Sequence, residues 1–178
     1  MRGHLTRRIA VAAGLAWLLA VLAAACSTRS GVGTVEILLS DHREAIGDFA
    51  RLTVEIDRLE LHPAISPPES GWIVLNPAIT EADLTQLIGE ASLPVVSQAV
   101  AAQNYDAVRL VLSGAIGILN DGAEIEFGEF SEAGRVEFEL ADAGRATILI
   151  DLVVQSRVDH PGEAYLILLG ETKLVGGD

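Results

Sequence analysis

Three histidines lie beyond the N-terminal segment: His42, His62 and His160. A neutral imidazole binds metals and moves protons near neutral pH, so these are the first residues to weigh. Asp41-His42 and Asp159-His160 are Asp-His pairs in stretches that read as loops. If those loops met, two imidazoles and two carboxylates could hold a divalent metal. No His-x-His or His-Glu-x-x-His spacing enforces such a meeting, and the plainer expectation is three solvated loop residues. Glu124, Glu126, Glu129 and Glu132 form an acidic stretch with Glu137 and Glu139 nearby. Alternate glutamates on a strand share a face and could offer oxygens to calcium. No Asp-x-Asp-x-Asp-Gly loop accompanies them, so a solvated sheet face is expected. The chain has no Gly-x-Ser-x-Gly elbow, no phosphate-binding Gly-x-x-x-x-Gly-Lys loop and no dinucleotide fingerprint. No catalytic residue and no cofactor is assigned, and carboxylate pairs for glycoside chemistry cannot be singled out among so many acids. Arg109 interrupts the apolar run Val108 to Leu112, which suggests an outward position or a structural pair with Asp57 or Asp151. Trp72 and Tyr105 are expected as structural anchors, Tyr105 as a corner residue bonding the backbone.

The elements that must position these groups are mostly strands. Val35, Ile37 and Leu39 alternate within Thr34 to Ser40. Leu52, Val54 and Ile56 alternate next. The apolar phase then slips to Leu59 and Leu61, which predicts a bulge near Asp57-Arg58. Pro63 to Gly71 reads as a loop, and Trp72 to Leu75 as a short strand. Two helices are expected. Thr80 to Ile88 has a capping residue and an apolar face of Leu84, Leu87 and Ile88; Pro94 to Gln103 places Val95, Val96, Ala99 and Val100 inward. Strands follow at Tyr105 to Ser113, Val136 to Leu140, Thr147 to Val154 and Ala164 to Leu169, extending towards Leu174. Asn120-Asp121-Gly122 joins Ile116 to Leu119 with Ala123 to Phe127 as a hairpin. The pattern predicts a mainly β fold. Its expected form is an antiparallel β-sandwich, immunoglobulin- or transthyretin-like, with two short helices.

The N-terminus is read as an address. Arg2, Arg7 and Arg8 precede an apolar run of 16 residues from Ile9 to Ala24, short for a spanning helix and suited to a signal peptide. The run ends in Leu22-Ala23-Ala24-Ala25-Cys26, which resembles the lipobox of bacterial lipoproteins, with Ala23 where Leu is usual. That resemblance implies cleavage before Cys26 and acylation of its thiol and amino group. The expected organisation is a signal peptide over residues 1–25, a lipidated cysteine and tether over 26–33, and one β-sandwich domain over 34–175. Ser27 follows the cysteine where inner-membrane retention prefers Asp, which points to the outer membrane in a Gram-negative source.

The chain of 178 residues carries a formal net charge of −13 and 4% aromatic residues, which argues against nucleic-acid binding. Without residues 1–25 and their three arginines, 9 basic side chains stand against 25 acidic ones, a net charge of −16. Such a surface favours cations or basic partners over anionic lipid. A single cysteine excludes an internal disulfide and a multi-cysteine zinc site.

A further resemblance covers about Gly33 to Leu169. Gly33-Thr34-Val35-Glu36-Ile37-Leu38-Leu39-Ser40-Asp41 resembles the opening of a family of bacterial lipoproteins described only as a domain of unknown function. The segment Leu52 to His62, then Gly71-Trp72-Ile73-Val74-Leu75 and Asp83-Leu84-Thr85-Gln86-Leu87, are similar to the motifs that follow in that family. So are Leu93-Pro94 and Tyr105-Asp106-Ala107-Val108-Arg109-Leu110-Val111-Leu112. His42-Arg43 replaces the family's Ala-Pro, and the stretch between Pro94 and Tyr105 is longer. The resemblance implies a β-sandwich lipoprotein domain and no known activity.

The expected function is a non-enzymatic envelope module held to the membrane by lipid, with a protein or glycan as partner. The alternative is a metal-dependent hydrolase built on the loop histidines and carboxylates. A third is an accessory subunit of an envelope complex.

Overall fold

The computed structural model describes residues 31–42, 45–157 and 165–177, and at residue 42 the backbone alone. The expected signal peptide, Cys26, Asp159 and His160 lie outside the described residues. The described part belongs to one compact unit that begins at Gly31. It is mainly β, with ten strands: β1 (Val32–His42), β2 (Phe49–Pro63), β3 (Ile73–Leu75), β4 (Glu81–Asp83), β5 (Leu93–Ala101), β6 (Asn104–Leu119), β7 (Glu124–Phe127), β8 (Phe130–Glu139), β9 (Arg145–Ser156) and β10 (Tyr165–Gly177). The expected tether therefore ends early, since Val32 and Gly33 already belong to β1.

One sheet has the order β10-β9-β1-β5. The other is built on the long pair β2 and β6, with β3 and β4 along β2 and with β7 and β8 along β6. All pairings are antiparallel except β1 with β9, which run parallel in unbroken register from Thr34↔Arg145 to His42↔Val153. The alternating residues of both sheets close one hydrophobic cluster. Val35, Ile37, Leu52, Val54, Leu59, Leu61, Leu110, Ile148, Ile150 and Leu152 are all fully buried in it.

The two helices are absent among the described residues. Glu81–Asp83 pairs with β2 instead, and Leu84–Gln86 makes a single 3-10 turn. Asp83, not Thr80, caps that turn: its Oδ1 accepts from the Thr85 backbone at 3.1 Å and the Thr85 hydroxyl at 2.7 Å. Leu93–Ala101 is a strand along β1. The register shifts at Ile37/Leu38, so the neighbours Val95 and Val96 are both buried. The bulge thereby buries Val95, Val96 and Val100, an i, i+1, i+5 spacing that reads as a helix face together with Ala99, which is in fact exposed. The slip expected near Asp57-Arg58 is present, because Asp57 has no partner in the β2–β6 ladder. The hairpin at Asn120-Asp121-Gly122 also forms, with Gly122 at φ 89°.

The two sheets also touch where β8 meets β10. The Leu169 amide donates to Glu132 Oε2 at 3.1 Å. A Cβ on Gly134 would lie 2.0 Å from Thr172 Oγ1 and 2.6 Å from Thr172 Cβ. Gly134→Ala is therefore expected to destabilise the fold by about 1–3 kcal/mol through overpacking. Urea denaturation checks this, and an unchanged midpoint would refute the close contact.

Candidate functional site

Two polar clusters stand out, one on each sheet. The first lies at the C-terminal end of β1. Alternation along that strand buries Val35, Ile37 and Leu39, and the parallel partner β9 extends far enough to enclose Asp41, which is 3% exposed. The Asp41 amide donates to Leu87 O at 3.2 Å, and residue 41 bridges to Ile88. Asp41 is thus held between β9 and the segment after the 3-10 turn. Both of its carboxylate oxygens are buried without a hydrogen-bond partner. Burial, and then the charge of Asp151, push its carboxyl up to about 7. Ser40 Oγ donates to Asp151 Oδ1 at 2.8 Å. A surface cavity is lined by Ser40, Asp41, Gly89, Asp151, Glu171 and Lys173. Lys173 Nζ reaches Glu171 at 2.6 Å. Asp151 and Glu171 against one ammonium make this cavity suited to the cationic group of a larger ligand. Asp41 was expected in a solvated loop. The structure corrects that, because a strand 111 residues further on covers it.

The second cluster is on the outer face of the β2–β6 sheet. Arg58, Glu60 and His62 alternate along β2, and Arg109 stands opposite Glu60 on β6. Glu60 is buried and accepts from Arg58 Nε at 2.8 Å and from Arg109 at 2.7 Å. Asp57 pairs with Arg58 as well. The partner of Arg109 is therefore Glu60, not Asp57 or Asp151, because the bulge at Asp57 resets which residues face Arg109. The Arg109 guanidinium also lies 3.8 Å from the Trp72 ring centroid. Trp72 is half-buried above the sheet, its ring 4.8 Å from that of His62. Tyr105 is 1% exposed, donates to Ala101 O at 2.8 Å and stacks on Phe138.

His62 is the imidazole whose surroundings are described, and it is buried in β2, not solvated in a loop. The loop after Pro63 folds back over it. Nε2 lies 3.1 Å from Pro67 O and 3.2 Å from Ser70 O. Nδ1 lies 2.6 Å from Asp106 Oδ1. Asp106 reaches it because it has no partner in either ladder beside it, so a bulge aims its side chain. Both ring nitrogens face acceptors only, and both must donate. The Asp106 hydrogen bond raises the His62 pKa above its ordinary 6.5, against an opposing effect of burial. An imidazolium so placed has no lone pair for a proton or a metal. It latches the proline loop to the sheet.

Sequence reasoning missed Glu60 and the burial of His62. The signal was the Arg58-Glu60-His62 alternation opposite Arg109. Most of the candidate metal set falls outside the described side chains: His42 is described by its backbone alone, and Asp159 and His160 lie outside the described residues. Because β1 and β9 are parallel, both strands finish at the same end of the sheet. Among the described residues no three metal-ligating side chains come together. Glu124 and Glu126 are exposed on β7.

The profile of a family described as "Domain of unknown function (DUF4382)" matches residues 32–169. No curated protein and no solved structure matches the chain.

Proposed function

The chain belongs to the DUF4382 family, and for this member of it we propose a lipid-anchored protein of the bacterial cell envelope whose body is a non-enzymatic binding module. The anchor is acylated Cys26, at the outer membrane in a Gram-negative source. Its position at the end of the apolar run, as the only thiol, supports this. The body is a β-sandwich of the immunoglobulin or transthyretin kind; two sheets on a shared core support that reading. The observation that carries the non-enzymatic reading is His62, whose two ring nitrogens are both committed to structural acceptors. The Ser40-Asp41-Asp151 cavity is the binding candidate, for a basic side chain of a protein partner or an amino group of a glycan.

Zinc calorimetry on the mature protein in detergent separates this from a metal-dependent hydrolase. Weak, salt-sensitive uptake by the acidic surface is expected. A stoichiometric submicromolar site that disappears in His42→Ala or His160→Ala would overturn the reading.

A further inference from the structure

The body has two ends. At one, the Ala102 amide donates to Gly31 O at 2.8 Å, the Val32 amide to Asp142 Oδ1 at 3.1 Å, and the Ala64 amide to Asn104 O at 3.0 Å. Gly31, the proline loop that begins at Ala64, and the 102–104 and 140–144 turns therefore share this end. At the other end the Asn120 amide donates to Asp48 O at 2.9 Å, and Tyr165 Oη to Asp48 Oδ2 at 3.0 Å. There too β1 closes at the Asp41 cavity. The 11 residues of β1 separate the ends by about 36 Å.

The chain outside the body ends short. From Cys26 to Gly31 there are five residue steps, which span at most about 18 Å even when fully extended. Once Cys26 is acylated, the Gly31 end must stay within about 18 Å of the bilayer, whereas no tether holds the far end there. The near end is also apolar at its tip. Ile65 is 89% exposed and Val32 52% exposed. Ile65 lines an open cleft with Gln103, Glu139 and Asp142, and the Val32 amide bonds to Asp142. Those carboxylates repel anionic headgroups and tolerate zwitterionic ones.

We propose that the Gly31 end, with Ile65 and Val32 foremost, rests in the headgroup layer of a zwitterionic lipid surface and turns the Ser40-Asp41-Asp151 cavity away from the membrane. The inference rests on the acyl anchor proposed above. It gives Ile65 a role that a core or solvated residue lacks, and it makes the cavity the part of the molecule offered to partners.

The test uses the acylated protein reconstituted in phosphatidylcholine vesicles that carry a headgroup spin label. Ile65→Cys and Asp121→Cys place one environment-sensitive fluorophore at either end, on exposed loops where labelling leaves the core intact. Acylation of Cys26 leaves the engineered thiol as the free one. Flotation is scored first, and protein that fails to float overturns the anchor. For protein that floats, the probe at residue 65 is expected to be quenched severalfold more than the probe at residue 121. Equal quenching, or stronger quenching at residue 121, would overturn the orientation while leaving the anchor standing.

Discussion

Replacing His62 by alanine is expected to lower the stability of the body by about 2–4 kcal/mol. The substitution leaves Asp106 Oδ1, Pro67 O and Ser70 O without their donor and removes the ring that packs on Trp72. The loss has a pH signature. The folded-state pKa of His62 is raised. Its contribution is therefore fully present below the unfolded value of about 6.5 and disappears as pH rises through the folded one. The gap between wild type and His62→Ala should be wide at pH 5.5 and narrower at pH 9. Chemical denaturation at both values measures it. A gap that widens with pH would mean that the ring is held neutral and that the latch is wrongly described.

Asp41→Asn should do the opposite. A carboxyl pushed up to about 7 binds its proton more tightly folded than unfolded. Its contribution is present below its ordinary value of 3.8 and is lost as pH rises through about 7. A shift of that size corresponds to about 4 kcal/mol for a fully shielded group. The effective dielectric around a buried group in a real protein exceeds that of a dry interior, which leaves about 2 kcal/mol. The uncharged variant should gain about that much on wild type between about pH 4 and pH 8. Denaturation midpoints of the two proteins across this range check it. A constant difference would show that Asp41 finds a partner or a bound cation in solution.

These two residues also mark where the sequence stops being legible. Alternation alone locates the inward residues of β1 and β9, and the slip at Asp57 is visible because Leu52-Val54-Ile56 and Leu59-Leu61 fall out of phase. Local pattern fails where a bulge imitates another period, as Val95-Val96 does for a helix. It fails again where burial is decided by distant chain. Asp41 looks like a loop residue until β9 lies beside it, and His62 looks solvated until the proline loop folds over it. The parallel pairing of β1 with β9 joins residues too far apart for any local signal to show it. Arg109 was legible as a residue needing a partner. Which partner depended on the bulge at Asp57, which sets Glu60 opposite it.

The account stands on the anchor, because the placement of the cavity and the role of Ile65 both follow from it. The most direct measurement is incorporation of labelled palmitate by cells expressing the full chain, for wild type and Cys26→Ser, with membrane fractionation of each. Wild type should take up label and float with membranes. Cys26→Ser should take up none, and should persist as a precursor held by its apolar run or be released after cleavage elsewhere. If the variant were processed at the same position and fractionated with membranes as wild type does, or if wild type took up no label, the lipid anchor would be contradicted.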